Sequence, residues 1–377
     1  MKDADIVGQS LAEVLPQTNK YWFQQKHLLQ LNLLLLVPLL SSSVAGYDGS
    51  LMNGLQSLPQ WRDYFGNPVG TKLGLVNAAQ SIGSVVILPV VGWASDRWGR
   101  RLVLLAGIIG VVLATIIQAT STTLAQLVVS RLIVGAAGML VVQPAPMLIA
   151  ELAYPTHRGK YTSAFWTMYY LGAILASWTC FGCESIQSSW AWRIPTIMQA
   201  AYPLIQAAFW IWVPESPRWL VAQDRVPEAM AILAKYHAGG DVNSPLVIRE
   251  MSEIVDAIRM EKEIETPGWG ALIFPYSLRS KGLTCELLSI YVSLVIAAFT
   301  NPIGLENLGW KFYIVFCCFL VVILAVTYFT FPETKGHSLE EIVQIFDGPQ
   351  VARNVEESEK EVKKGFEVEA TEKIERV

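Results

Sequence analysis

About eight apolar stretches, each long enough to cross a lipid bilayer, restrict the fold of this sequence more than any other feature. A transmembrane helix needs about 20 consecutive apolar residues. The candidate stretches lie near 28–51, 73–93, 102–120, 124–149, 161–181, 191–213, 283–302 and 310–331. Of the 377 residues, 53% are apolar and only 16% are charged, whereas soluble domains contain about 25% charged residues. The sequence therefore predicts an all-α membrane protein with about eight spans.

Basic residues indicate the orientation of these spans. They cluster in every second connection, at Lys20, Lys26, Arg97, Arg100, Arg101, Arg158, Lys160, Arg279 and Lys281. Cytoplasmic loops carry an excess of lysine and arginine, so the sequence predicts that both termini are cytoplasmic. The formal net charge of −4 gives no electrostatic reason to expect a nucleic-acid partner.

Two segments repeat the same order of charged signatures and spans. Arg158 opens a two-span segment that ends at Pro214-Glu215-Ser216-Pro217-Arg218, and Arg279 opens another that ends at Pro332-Glu333-Thr334-Lys335. Transporters are commonly built from such repeats. Four predicted spans precede Glu151 in the first copy, and the second copy has no counterpart of these four. The sequence therefore predicts a duplicated bundle of about twelve spans that lacks about four of them.

This repeat gives the predicted domain organisation. The expected parts are a cytoplasmic segment 1–27, a six-span half 28–213, a cytoplasmic linker 214–282, a two-span remnant of the second half 283–331 and a cytoplasmic, largely disordered tail 332–377. In the linker, Ile248, Met251, Val255 and Ile258 recur at helical spacing, which predicts an amphipathic surface helix with these four residues on its apolar face.

Six short motifs follow one another in order along the chain. They are Gly46-Tyr47-Asp48-Gly49, Gly92-Trp93-Ala94-Ser95-Asp96-Arg97-Trp98-Gly99-Arg100-Arg101, Arg131, Glu151 with Arg158-Gly159-Lys160, Pro214-Glu215-Ser216-Pro217-Arg218-Trp219-Leu220, and Pro332-Glu333-Thr334-Lys335-Gly336. With these motifs the chain resembles the sugar porters of the major facilitator superfamily, most closely the fungal lactose permease-like branch. The resemblance covers most of 21–346 and lacks the family's seventh to tenth membrane spans. It implies proton-coupled sugar uptake by alternating access at the plasma membrane.

Asp48 and Arg131 are charged residues inside predicted spans. Such charges are costly in lipid and tend to pair inside the helix bundle, and the helical rise places these two at similar depth. A nearby cation keeps a carboxyl group ionised, whereas a low dielectric without that cation favours the protonated form. The resemblance implies that this pair couples proton movement to transport. The alternative is an interfacial aspartate and an arginine that extends to the membrane surface.

The resemblance also implies a cytoplasmic gate and latch made of charged residues at the span ends. Its expected members are Asp96, Arg97, Arg100, Arg101, Glu151, Arg158, Glu215, Arg218, Arg279 and Glu333. Asp96 lies in a tight loop and is expected to face the N-terminus of a helix from the other half. Leu272 stands where the family has the glutamate that corresponds to Glu151. The alternative is a set of solvated charges, each of little energetic value.

The candidate sugar-binding residues lie on the fourth and fifth predicted spans. Trp166, Tyr169 and Tyr170 could stack on sugar faces, although an aromatic stripe of this kind more often serves packing. Gln143 could make a polar contact to the substrate, and Pro144 with Pro146 predicts a kink beside it. The small residues of Gly135-Ala136-Ala137-Gly138 predict close helix packing.

No catalytic constellation accompanies these spans, so the sequence does not predict an enzyme or a cofactor. The histidines His27, His157, His237 and His337 lack ligand spacing, so no metal site is proposed. The expected partners are a sugar, a proton and the lipid bilayer, and no oligomeric state is indicated. Two alternatives stay open: a sugar sensor or interaction protein derived from a transporter, and an inactive mis-spliced product with a junction near 268–274.

Overall fold

The computed structural model describes residues 14–16, 21–263 and 279–330, which form helices without any β-strand. The chain divides into two compact units, Met1–Asn307 and Leu308–Val377. The predicted tail after residue 331 and most of the region around the predicted junction lie outside the described residues.

The first unit contains the helices that correspond to the predicted spans. They are α1 (Lys26–Ser57), α3 (Gly70–Trp98), α4 (Arg100–Ala119), α5 (Leu124–Val142) with α6 (Pro144–Leu152), α7 (Arg158–Cys183), α8 (Trp190–Met198) with α9 (Ala201–Phe209), and α13 (Arg279–Leu308). A short helix, α2 (Pro59–Tyr64), follows α1. The second unit contributes α14 (Phe312–Thr330), an apolar helix in which the rings of Phe312 and Phe316 meet edge to face at 5.2 Å.

Within the described ranges, five stretches are long and apolar enough to cross a membrane, namely Lys26–Ser57, Gly70–Trp98, Arg100–Ala119, Leu124–Leu152 and Leu287–Gly304. The shorter apolar helix Ile314–Phe329 adds a further candidate among the described residues. These helices confirm the predicted all-α membrane fold. The kink predicted at Gln143 is confirmed, because α5 ends at Val142 and α6 begins at Pro144.

Glycines bring several spans of the described structure into close contact, among them α1 with α7, α3 with α5 and α4 with α5. In the pair α1–α7, a Cβ atom on Gly46 would overlap the carbonyl of Tyr169, and one on Gly172 would overlap the carbonyl of Ser43. In the pair α3–α5, a Cβ atom on Gly135 would overlap the carbonyl of Gln80. Small residues let helix backbones approach in this way, so the close packing predicted around Gly135 is confirmed.

Hydrogen bonds reinforce the α1–α7 and α3–α5 pairs. The Ser43 hydroxyl of α1 donates to the carbonyl of Met168 at 2.8 Å. In the other pair, the Ser84 hydroxyl of α3 donates to the carbonyl of Gly135 at 3.0 Å. Each pair therefore has both steric and polar contacts along its crossing, so each is expected to move as a unit.

The segment between α9 and α13 forms three helices, α10 (Pro217–Ala222), α11 (Val226–His237) and α12 (Pro245–Glu263), which we call the linker helices. The apolar face predicted for α12 is only half right. Met251 and Ile258 are buried against α10 and α11, whereas Ile248 is 52% exposed and Val255 is 38% exposed. The helix is rotated relative to the prediction because Val247 and Ile254 join the packed face instead.

Candidate functional site

Asp48 lies in the interior of the helix bundle, on α1. Its side chain is buried, and its Oδ1 atom has no hydrogen-bond partner. Gly138 of α5 lies directly beside it, since a Cβ atom built there would lie 3.9 Å from Oδ2 of Asp48. The amide of Gln199, at the break between α8 and α9, lies beside the same carboxylate. An ionisable group is thus enclosed with little hydrogen bonding. Such groups are costly inside a membrane bundle and mark functional sites.

Arg131 is equally buried and faces the same interior from α5. Its Nε donates to the carbonyl of Val76 at 3.0 Å, and its Nη2 donates to Oε1 of Gln80 at 2.8 Å. Both of these acceptors are on α3. Asp48 and Arg131 are close enough to interact electrostatically, but the hydrogen bonds of the guanidinium go to α3 rather than to the carboxylate.

The two charges therefore belong to different helix pairs. Asp48 is on α1, which glycine contacts join to α7, and Arg131 is on α5, which glycine contacts join to α3. A displacement of one pair relative to the other would change the distance between the carboxylate and the guanidinium. The electrostatic state of Asp48 is in this way linked to the arrangement of the bundle.

The predicted sugar-binding residues lie in different environments. Tyr169 is half-buried, and its hydroxyl packs against Gly49 beside Asp48. Trp166 and Tyr170 are exposed on α7, at 49% and 67%. Gln143 is buried at the junction of α5 and α6. Only Tyr169 shares the immediate surroundings of the buried charges.

At the bundle end that is predicted to be cytoplasmic, Glu215 occupies the N-terminus of α4. Its Oε1 accepts from the backbone amide of Arg100 at 3.2 Å, and its Oε2 accepts from the amide of Arg101 at 3.2 Å. Gly99, with φ of 90°, precedes this helix, and a Cβ atom there would overlap the carboxylate. The positive end of a helix dipole favours such an anion. Burial nonetheless raises the pKa of Glu215, while the hydrogen bonds from Ser216, Arg101 and Arg100 and the charge of Arg100 oppose that effect.

Arg100 connects several of the other predicted gate residues. Its side chain lies 3.5 Å from Oε2 of Glu151 and 3.5 Å from Oδ1 of Asp96. The Asp96 carboxylate is 68% exposed. The backbone carbonyl of Asp96 instead accepts the indole N–H of Trp219 at 2.9 Å, which ties α3 to α10. Asp96 thus contributes its backbone as well as its side chain to this end of the bundle.

The side chains of the remaining predicted gate residues lie in different environments. Arg97 and Arg158 are exposed and Arg218 is half-buried. Arg101 lies over the Trp210 ring at 4.2 Å and donates to the carbonyl of Ile211 at 3.0 Å. Arg279 begins α13, but its side chain lies outside the described part of the structure, as does Glu333.

A contact between the linker helices and the bundle was missed by sequence reasoning. His237 of α11 lies with Nδ1 2.7 Å from Oε2 of Glu250 on α12 and Nε2 3.1 Å from the carbonyl of Leu152. Leu152 ends α6, directly after Glu151. Glu215 thus attaches the segment after α9 to the N-terminus of α4. His237 attaches the same segment to the C-terminus of α6.

The interior site also contains polar residues that sequence reasoning missed. Gln80 and Gln199 are the ones that approach Arg131 and Asp48. Each is a glutamine inside an otherwise apolar stretch, which is a recognisable signal because polar groups in a membrane span are costly unless bonded. The sequence alone does not say which of the several buried glutamines face the charges.

Comparison with known proteins agrees with this architecture. The family model described as "Sugar (and other) transporter" matches residues 34–273 and 270–346. MFS-type transporter criB of Aspergillus cristatus is 30% identical over 223 residues, which are 59% of this chain and 48% of that protein. The MFS glucose transporter mfs1 of Aspergillus flavus is 30% identical over 245 residues, 63% of this chain and 46% of that protein. The chain spans less than half the length of these curated relatives.

Solved structures share the fold. The inward open conformation of the xylose transporter XylE from E. coli superposes with a TM-score of 0.66 at 20% identity, covering 84% of this chain and 99% of that chain. The proton:xylose symporter XylE bound to 6-bromo-6-deoxy-D-glucose gives a TM-score of 0.60 at 22% identity, covering 78% of this chain and 66% of that chain. The family match extends over more than half of the chain and agrees with the arrangement of spans and the order of the motifs. The chain therefore belongs to the sugar transporter family of the major facilitator superfamily.

Proposed function

We propose that this chain acts in proton-coupled transport of a hexose- or lactose-type sugar across the plasma membrane by alternating access. The observation that carries the proposal is the burial of Asp48 and Arg131 on two separate helix pairs. Ionisable residues inside a membrane bundle mark proton or substrate pathways. The sugar is inferred from the family and from relatives whose names describe glucose transporters.

Proton coupling would follow from the changing distance between the two charges. When the α1–α7 and α3–α5 pairs approach, the guanidinium stabilises the ionised form of Asp48. When they separate, the low-dielectric interior favours uptake of a proton by the carboxyl group. The Oδ1 atom of Asp48 supports this role, because it accepts no hydrogen bond and is available to take up a proton.

Sugar binding would involve the aromatic face of α7. Trp166 and Tyr170 are exposed, and Tyr169 connects this face to Asp48 through the contact of its hydroxyl with Gly49. Aromatic rings pack well against apolar sugar faces while hydroxyl groups provide hydrogen bonds. Gln143, buried at the junction of α5 and α6, is the predicted polar contact to the sugar.

The charged cluster at the predicted cytoplasmic end would act as the inner gate. Glu215 holds the N-terminus of α4, and Arg100 joins Glu151 and Asp96. These contacts tie α3, α4, α6 and α10 together, so they would restrain the inner ends of the spans in this conformation. Of these groups, the Asp96 carboxylate is 68% exposed, so its contact with Arg100 would separate at modest energetic cost.

A second candidate is a protein that binds sugar without transporting it. The aromatic face of α7 favours it, since Trp166 and Tyr170 are already accessible in the first unit and binding there requires no passage through the bundle. Binding and flux must therefore be measured separately.

The test is uptake of radiolabelled glucose, lactose and xylose by proteoliposomes that contain the purified chain, with and without an imposed pH gradient. The proposal is supported if the pH gradient accelerates uptake by the wild-type chain but not by Asp48→Asn. Sugar binding by the same preparation without flux contradicts transport and supports the second candidate. Gln206→Leu, which alters another buried polar residue of the bundle, serves as the matched control.

A further inference from the structure

Arg131 has a neutral partner in the interior of the bundle. Of the hydrogen bonds from its guanidinium, the one to Gln80 is the shorter, at 2.8 Å, and it is the only one made to a side chain among the described residues. The Asp48 carboxylate lies within electrostatic range, yet its Oδ1 atom accepts no hydrogen bond. An arginine beside a buried anion normally bonds to that anion, so the position of Gln80 requires a physical account.

The backbone of Gln80 is fixed to the helix that carries Arg131. Gly135 packs directly on the Gln80 carbonyl, and the Ser84 hydroxyl lies 3.2 Å from the same oxygen and 3.0 Å from the Gly135 carbonyl. Gln80 and Arg131 therefore belong to one packed helix pair and stay together when that pair moves. Asp48, on α1, does not belong to it.

We propose that Gln80 is a positioning residue whose side-chain oxygen holds the Arg131 guanidinium on α3, away from Asp48, and so controls how readily Asp48 exchanges a proton. The inference rests on the proposed function of Asp48 as the proton-binding group. Gln80 competes with the carboxylate for the same guanidinium. Because an amide oxygen is a weaker acceptor than a carboxylate, a shift of the helix pairs that brings Asp48 within hydrogen-bond distance would transfer the guanidinium from Gln80 to the carboxylate.

Other titratable groups also lie near Asp48 and could affect its protonation. Besides Arg131 on α5, they are Tyr47 on its own helix, Tyr169 on α7 and Tyr291 on α13. None of these tyrosines bears a charge at neutral pH. Among these four neighbours Arg131 alone is charged at neutral pH, so its distance from Asp48 changes how strongly the ionised carboxylate is stabilised against the effect of burial.

Two substitutions at Gln80 have opposite expected effects. Gln80→Leu removes the acceptor and leaves Asp48 as the remaining side-chain partner for the guanidinium, so Asp48 stays ionised at lower pH. Gln80→Glu supplies a fixed carboxylate that neutralises Arg131, so Asp48 holds its proton at higher pH. Each shift is expected to be about one pH unit or more, the usual effect of a neighbouring opposite charge on a carboxyl group.

The experiment measures the reaction of Asp48 with a hydrophobic carbodiimide, which modifies protonated carboxyl groups, in the purified full chain as a function of pH. Mass spectrometry of the peptide that contains Asp48 distinguishes it from other carboxyl groups, and Asp48→Asn gives the blank. The midpoint pH should fall in Gln80→Leu and rise in Gln80→Glu. Ser84→Ala, which weakens the same helix contact without touching Arg131, should leave the midpoint unchanged.

Equal midpoints in the wild type and both Gln80 variants overturn the inference, and so do shifts in the same direction. If Gln80→Leu fails to fold, the nearly isosteric Gln80→Glu decides alone, because an unchanged midpoint in that variant also overturns it. The labelling needs no sugar flux. Opposite midpoint shifts in a chain that transports nothing would therefore contradict the proposed transport while supporting the role of Gln80.

Discussion

His237 and Glu250 form a buried pair with 2.7 Å between Nδ1 of the imidazole and Oε2 of the carboxylate. The second ring nitrogen of His237, Nε2, donates to the carbonyl of Leu152 at 3.1 Å, since a carbonyl can only accept. The T-shaped contact with Tyr154, at 5.5 Å between ring centroids, completes the enclosure. The pair therefore joins both longer linker helices to the end of α6.

Removal of Glu250 should destabilise this junction strongly. Glu250→Ala leaves a buried imidazole without its partner, which we expect to cost about 3 kcal/mol in the free energy of unfolding. The matched control is Glu253→Ala on the same helix. Glu253 pairs with Arg249 and its side chain is 40% exposed, so its loss should cost less than about 1 kcal/mol.

The measurement is the thermal unfolding midpoint of both variants in detergent, together with hydrogen exchange of α11 and α12. Faster exchange in these helices is expected for Glu250→Ala only. Equal midpoints for the two variants would show that the buried pair does not hold the linker helices.

Titration of Glu215 should make the free energy of unfolding depend on pH. Burial raises the pKa of this carboxyl group above its ordinary value of 4.5, against the opposing hydrogen bonds of Ser216, Arg101 and Arg100. Between 4.5 and the raised value, the folded chain binds more protons than the unfolded chain. The contribution of Glu215 to the free energy of unfolding is therefore fully present below pH 4.5 and is lost as the pH rises through the folded pKa.

Glu215→Gln removes this titration and nearly preserves the shape of the side chain. The difference in unfolding midpoint, wild type minus Glu215→Gln, should decrease from about pH 4.5 to pH 7. Subtraction cancels the contribution of other titrating groups. A difference that increases with pH would mean that the amide hydrogen bonds at the N-terminus of α4 outweigh the effect of burial.

Glycine packing in the α1–α7 pair gives a comparison on a single helix. Gly172→Ala would place a methyl group on the carbonyl of Ser43, whereas a Cβ atom at Gly182 meets nothing within 4 Å. Gly172→Ala should destabilise the chain by about 1–3 kcal/mol or more, since overpacking against backbone cannot be relieved by a rotamer change. Gly182→Ala should be neutral or slightly stabilising because alanine favours helix.

Yield and monodispersity on size-exclusion chromatography, followed by thermal unfolding, distinguish the two glycine variants. If both behave like the wild type, the α1–α7 crossing is looser than the structure indicates.

The contact of Trp219 with α3 should contribute more to the free energy of unfolding than the Asp96 carboxylate does. Trp219→Phe removes the hydrogen bond of 2.9 Å to the Asp96 carbonyl and should cost about 1 kcal/mol. Asp96→Ala removes only a 68% exposed carboxylate at 3.5 Å from Arg100, and its cost should be small. Unfolding midpoints of the two variants test this order. A larger loss in Asp96→Ala would favour the predicted side-chain latch.

The exposed aromatics of α7 can be tested without disturbing the fold. If Trp166 and Tyr170 bind sugar, alanine at either position should weaken binding about 2- to 10-fold, the value of one aromatic contact, with an unchanged unfolding midpoint. Phe181→Ala, which removes a 69% exposed ring farther along the same helix, is the control. Loss of binding in all three variants, or in none, contradicts a specific sugar contact.

Much of the fold could be predicted from local sequence patterns. Apolar length identifies the spans, and Pro144 directly after Gln143 identifies the break between α5 and α6, because proline removes a backbone donor. The tandem break between Met198 and Ala201 was not predicted. Pro195 and Pro203 lie on either side of it, so the same reasoning could have found it.

The site was less predictable because its contacts depend on helix rotation. Periodicity placed Ile248 and Val255 on the packed face of α12, but a small rotation exposes both residues. Likewise, sequence depth suggested that Arg131 approaches Asp48, yet the acceptors it uses are on α3. His237 and Glu250 are joined across a turn between two helices, and no local pattern specifies that pairing.

The placement of Glu215 and His237 has a consequence for biosynthesis. Glu215 lies 115 residues after the Arg100 amide that it stabilises, and His237 lies 85 residues after the Leu152 carbonyl. A ribosome must therefore complete the later helices before the earlier ones have their ends satisfied. During translation the Arg100 amide of the third span and the Leu152 carbonyl of the fourth span therefore lack these hydrogen-bond partners until residues 215–250 have been synthesised.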